Sequence, residues 1–166
     1  MKKIALAALA PLGMLSMNAF ADGYAYNGFS VHYVHSTQNG VSNSSSAVAY
    51  VRSVRPNEHY GYEMQLGLIG KSGPFTSSTS VDLSAIGLVP LGGKGLKLYG
   101  KAGLVDVYSR GSSGTANNLG LTYGAGFEFP GKDGLIRVGI QHFNVGNNTL
   151  SPSLSANLIG LTLLLK

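Results

Sequence analysis

The sequence predicts an all-β protein, an eight-stranded antiparallel up-and-down transmembrane β-barrel. Three observations point there. Apolar residues alternate with small or polar ones in segment after segment, glycine supplies 24 of 166 residues, and charged residues make up only 11%. Soluble domains carry about 25% charged residues and about 7% glycine. The chain also lacks cysteine and tryptophan, so neither a disulfide nor a cysteine-based metal site supports it.

Residues 1–21 are predicted to be a signal peptide and 22–166 the barrel domain. Lys2 and Lys3 precede the apolar run Ile4–Leu15, and Ala19-Phe20-Ala21 forms a small-residue cleavage site before Asp22. The run is shorter than the ~20 residues a spanning helix needs. Losing two lysines with the leader takes the formal charge from +5 to +3. No Lys/Arg cluster marks a nucleic-acid binder, and no nucleic-acid partner is expected.

The strands follow in order. A strand alternates faces with period two. Residues 24–35 set Phe29, Val31 and Tyr33 against Gly28, Ser30 and His32, while "SAVAYVRSV" (46–54) is apolar on both faces and has no readable orientation. "HYGYEMQLGLI" opposes Tyr60, Tyr62, Met64, Leu66 and Leu68 to Gly61, Glu63, Gln65, Gly67 and Ile69. Residues 79–89 oppose Val81, Leu83 and Ala85 to Asp82, Ser84 and Ile86. "LKLYGKAGL" sets Leu98, Ala102 and Leu104 against Lys97, Tyr99, Lys101 and Gly103. In "LGLTYGAGFEF" Leu119, Leu121, Tyr123, Phe127 and Phe129 oppose Gly120, Thr122, Gly124, Gly126 and Glu128. "LIRVGIQHF" opposes Ile136, Val138 and Ile140 to Arg137, Gly139 and Gln141, and the last strand opposes Ile159, Leu161, Leu163 and Leu165 to Leu158, Gly160, Thr162 and Leu164.

The connections alternate too. "RPNEH", "PLGGKG" and "PGKDG" are compact, whereas "STQNGVSNSSS", "GKSGPFTSS", "RGSSGTANN" and "GNNTLSPS" are longer and polar. Short turns at one end and longer loops at the other are the layout of a membrane barrel. A soluble lipocalin-like barrel, with its apolar face inward, would leave many glycines on a water-facing surface, where they weaken strands. An inverted barrel uses the same glycines to make room for long side chains in a lumen barely wide enough for them.

With that orientation the lumen is expected to hold a charge network of Glu63, Asp82, Lys97, Lys101, Glu128 and Arg137, three acids and three bases. Tyr60, Tyr62, Phe127 and Phe129 are expected to form an aromatic girdle at the short-turn end. Charges in a narrow lumen must pair, which suggests a salt-bridge network closing it. A gate in a small pore is the alternative use of the same groups.

The stretches "LYGKAGL" (98–104), "LTYGAGFEF" (121–129) and "IRVGIQHFNVGN" (136–147) resemble the small eight-stranded outer-membrane barrels of Gram-negative bacteria, the OmpA/OmpX-like or porin-like family. Gly160, Leu163 and Leu165 match the alternation with which such barrels end, Lys166 standing where they carry an aromatic. The resemblance implies a place in the outer membrane, contact with its lipids and lipopolysaccharide, handling by the barrel-insertion machinery, and surface ligands reached through loops. It implies a structural or surface-interaction role without catalysis or cofactor. Some barrels of this size are lipid-modifying enzymes with a His-x-Ser signature, but His142 here is followed by Asn144. His32, His35, His59 and His142 do not converge on a metal pattern. In the loops only Phe75, Leu150 and Arg110 offer binding anchors.

Overall fold

The computed structural model describes residues 24–38, 41–71, 75–92, 95–111, 114–145 and 154–166. The expected leader, with Ala19, Ala21 and Asp22, lies outside these residues, as does Leu150. The chain forms eight strands: β1 (Tyr24–Gln38), β2 (Val41–Arg55), β3 (Tyr60–Ile69), β4 (Phe75–Pro90), β5 (Lys97–Gly111), β6 (Gly114–Pro130), β7 (Gly134–Val145) and β8 (Leu154–Leu165). Each pairs antiparallel with its chain neighbour, and β1 pairs with β8, so the sheet closes into an up-and-down barrel.

The pairing fixes the stagger. Stepping from Asn27 through Arg52, Met64, Leu83, Leu104, Leu121, Asn144 and Ser155 returns to β1 at Thr37, ten residues further along. With about 3.3 Å per residue along a strand and about 4.8 Å between strands, this shear tilts the strands by about 40°.

The barrel is inside out relative to a soluble one. Phe29 is 71% exposed and Ile140 60%, and Leu68, Leu104, Leu121, Tyr123, Val138, Ile159 and Leu161 are likewise exposed on the outer surface. Glu63, Asp82, Lys101, Glu128 and Arg137 are buried inside. The pairing also orients β2: Ala47, Ala49, Val51, Ser53 and Arg55 face inward, while Val48, Tyr50 and Arg52 face outward. Its inward apolar residues are small, which is why alternation was invisible there.

Two of the expected long loops are strand instead. β1 and β2 are separated by residues 39–40 alone, and β5 and β6 by 112–113. Polar composition was read as loop, but serine and asparagine can occupy strands wherever the ladder satisfies the backbone and the side chains pair across it. Such pairs join Thr37 to Ser42 at 3.2 Å, Tyr33 to Ser44 at 2.8 Å and Ser78 to Ser109 at 2.7 Å. The other two strand pairs at that end lie farther apart in the chain: β3 ends at Ile69 and β4 opens at Phe75, and β7 ends at Val145 and β8 opens at Leu154.

At the opposite end the turns are tight. In 56–59 the Asn57 side-chain oxygen accepts from the backbone N–H groups of His59 (2.9 Å) and Tyr60 (3.1 Å), a local side-chain turn. Between β4 and β5, Gly92 (φ +80°) and Gly95 (φ +75°) take the left-handed conformation that other residues resist. Tyr60, Tyr62, Phe127 and Phe129 point outward beside these turns.

A closed ladder without free edges resists detergent until it is heated. Unboiled and boiled samples of the refolded chain are expected to migrate differently on a denaturing gel; equal mobility would contradict closure.

Candidate functional site

The lumen is built in layers. Toward the turn end lie two apolar clusters, Tyr26 with Val51 and Leu164, and Ile86 with Leu88 and Tyr99. Toward the other end lies a larger one that includes Val34, Ile69, Val105, Val107, Phe143 and Leu158. Alternation in the sequence places Ile69 and Leu158 of this cluster on the inner face, whereas Val105, Val107 and Phe143 look the same as lipid-facing residues. The charges run from the turn-end mouth, where Arg55 and Glu128 lie two residues nearer the turns than the ladder partners of Tyr26 and Tyr99, up to Asp82 below the larger cluster.

Six of them form one chain of alternating sign: Arg55, Glu128, Arg137, Glu63, Lys101, Asp82. Each comes from a different strand, β2 through β7. Arg55 grips Glu128 with both terminal nitrogens, Nη1 donating to Oε1 at 2.7 Å and Nη2 to Oε2. This fork geometry is particular to arginine. Arg137 bridges two acids, donating from Nε to Glu128 at 2.9 Å and from Nη1 to Glu63. Lys101 Nζ lies 3.3 Å from Glu63 and 3.4 Å from Asp82.

Neutral groups take up the remaining lone pairs. Gln65 donates to Glu63 at 2.9 Å, and Asp82 accepts from Thr122 (3.3 Å), Gln141 and Ser84. Arg55 and Arg137 also lie over the rings of Tyr26 and Tyr99, at 5.0 and 5.2 Å. Glycine makes this packing possible. A Cβ on Gly139 would overlap the Tyr99 hydroxyl, and one on Gly160 would overlap the His32 ring.

The sequence-derived set is placed with one exchange. Glu63, Asp82, Lys101, Glu128 and Arg137 come together; Lys97 does not join them. Lys97 pairs with Glu128 in the ladder, yet its ammonium turns out past the strand end to the Glu58 carbonyl, 3.1 Å away. A flexible stem at the barrel mouth can reach water, and the Glu128 carboxylate is already held by two arginines. Arg55 stands in its place, missed because it was assigned to the turn "RPNEH" after a strand with no readable face. The recoverable signal was charge type: among the residues flanking that turn, arginine can hold a carboxylate with two parallel bonds.

His32 lines a cavity of about 10 Å³ with Glu63, Tyr99, Lys101 and Arg137. That is at the threshold for a single water and too small for any larger guest. His142, the histidine of the incomplete His-x-Ser match, hydrogen-bonds Asn157 (2.8 Å) on the outer surface. Among the described residues no group of three or more His, Cys, Asp and Glu is placed to hold a metal.

An eight-stranded antiparallel barrel with apolar residues outside and a charged interior has the fold of the small outer-membrane barrels. Neisserial surface protein A superimposes with a TM-score of 0.73 at 12% identity, covering 86% of this chain and 96% of that one. Ail of Yersinia pestis, in complex with the heparin analogue sucrose octasulfate, gives 0.58 at 12% identity over 86% and 99%. The N-terminal β-barrel domain of Pseudomonas aeruginosa OprF gives 0.56 at 14% identity over 85% and 99%. No protein-family model matches the chain, and no curated protein matches it significantly. The likeness is one of fold.

The absence of Lys97 from the network is directly measurable against Lys101, which belongs to it. Lys101→Met leaves the buried Asp82 without a cation and is expected to destabilise the barrel by about 3–5 kcal/mol. Lys97→Met, at an exposed mouth, is expected to change stability by about 0.5 kcal/mol or less. Urea unfolding of both variants in lipid vesicles checks this.

Proposed function

We propose that this chain is a non-enzymatic protein of the bacterial outer membrane with a structural or surface-interaction role, in adhesion or envelope integrity, and with a closed lumen. The observation that carries the reading is the filled interior. A large apolar cluster fills the end away from the turns, and toward the turns two smaller clusters flank the six charges, which are consumed by one another. A conducting pore needs polar groups free to face water along its length, and the layer around Phe143 and Val105 interrupts any such path.

Membrane placement is supported by the exposed apolar exterior, which hydrocarbon covers well and water does not. The outward Tyr60, Tyr62, Phe127 and Phe129 suit a headgroup-level girdle at the turn end. Export through the leader, handling by the insertion machinery and contact with lipopolysaccharide go with that placement. Against catalysis, each lumen carboxylate is held by at least one cation.

The other end of the barrel offers hydroxyls and amides: Ser42, Ser44, Ser46, Ser77, Thr115 and Asn117 are exposed there. The Ail structure holds a sulfated heparin analogue. Here only Lys71 and Arg110 bring positive charge to that end among the described residues, which favours a neutral polar surface ligand over a polyanion.

In a planar bilayer the refolded chain is expected to be silent. Glu128→Gln and Arg137→Gln are expected to stay silent as well, because the apolar layer remains in place. Discrete openings in the native protein would overturn the closed-lumen reading in favour of a gated pore.

A further inference from the structure

One outward-facing row of the barrel is polar where hydrocarbon should lie. Tyr123, His142, Asn157 and His35 are paired side by side across β6, β7, β8 and β1. The Tyr123 and His142 rings lie 4.9 Å apart at 35°. His142 Nδ1 and Asn157 Oδ1 are 2.8 Å apart. Since the Asn oxygen can only accept, Nδ1 carries the proton, leaving Nε2 as a bare acceptor and the Asn157 amide nitrogen as a donor. Among the described residues neither atom has a second hydrogen-bond partner.

Directly beside this pair, toward the turn end, is a groove of about 310 Å³. It is lined by the paired Ala125 and Ile140, with Gly124, and on the side away from the turns by Tyr123, His142 and Asn157. That volume is within the range of small-molecule sites, about 300–1,000 Å³. The groove is apolar below and offers one donor and one acceptor above. Hydrocarbon supplies no partner for either group.

We infer that the groove holds one acyl chain of a membrane lipid whose linkage carries a hydrogen-bond donor as well as an acceptor, as an amide with a neighbouring hydroxyl does and an ester does not. The lipid N–H or O–H donates to His142 Nε2, and a lipid oxygen accepts from Asn157 Nδ2. Tyr123 fixes the imidazole by stacking and flanks the chain. The row continues through His35 to Ser44, 3.4 Å apart, so its upper end rises toward the aqueous rim as the strand tilt requires. This assignment rests on the membrane placement proposed above.

The test uses the refolded chain in phosphatidylcholine nanodiscs containing a small fraction of ceramide, with retained lipids counted by native mass spectrometry. Ceramide is expected to be enriched about tenfold over its bilayer fraction, the scale of one net hydrogen bond. The enrichment should vanish in His142→Leu, which removes the acceptor, and in Ala125→Leu, which fills the groove. His35→Leu should leave it unchanged. Both lipid-site variants place an apolar side chain toward lipid, and their gel mobility before and after boiling verifies closure. Retention of ceramide and phosphatidylcholine in bulk proportion would overturn the assignment. So would a dimer of the native chain that His142→Leu dissolves, because the row would then belong to a second copy. A chain that never enters nanodiscs overturns the membrane placement itself, and this site with it.

Discussion

Six charges held in a space that admits no bulk water set the terms for the rest of this barrel. Arg55, Glu128, Arg137, Glu63, Lys101 and Asp82 alternate in sign along one chain of contacts, and each hangs from its own strand. A buried ion pair is weak evidence of stability, because desolvation offsets much of the attraction. Its effect on register is stronger. Sliding one strand by a single residue would turn its charge out toward lipid, where an Arg or Lys costs about 2–4 kcal/mol at mid-depth. It would also strand the partner inside.

The glycines follow from the same constraint. An eight-stranded barrel is nearly filled by ordinary side chains, so two arginines stacked on two tyrosines need bare backbone opposite them. Gly126 and Gly139 accommodate the Tyr99 ring, and Gly160 accommodates His32. The larger apolar cluster then closes the end away from the turns, and the exterior is left to lipid. Closure, glycine content and the shortage of charged residues are one physical solution seen from three sides.

How much of this was legible depended on contrast between the two faces of a strand. In β3, β5, β6 and β7 glycine and charge oppose large apolar residues, and those faces read correctly. In β2 the inward Ala47, Ala49 and Val51 and the outward Val48 and Tyr50 are all apolar, so orientation had to come from pairing with β1. The same lack of contrast hid part of the inner apolar cluster: Ile69 and Leu158 read as inward from their neighbours, but Val105 and Phe143 carry no mark that distinguishes inside from outside. Composition misled at the polar end, where "VSNSSS" is strand because its backbone is paired whatever its side chains prefer. Lys97 shows a further limit: parity gives a face, and only length along the strand decides whether a side chain stays in the lumen or leaves by its mouth.

The most direct measurement is a double-mutant cycle on Arg55 and Glu128, using Arg55→Met, Glu128→Gln and both together, followed by urea unfolding in vesicles. A shared lumen network gives large single losses and a double variant much less damaged than their sum, with a coupling of about 0.5–3 kcal/mol. Additive losses would mean that the two side chains do not meet, and that the lumen is organised by something other than this chain of charges.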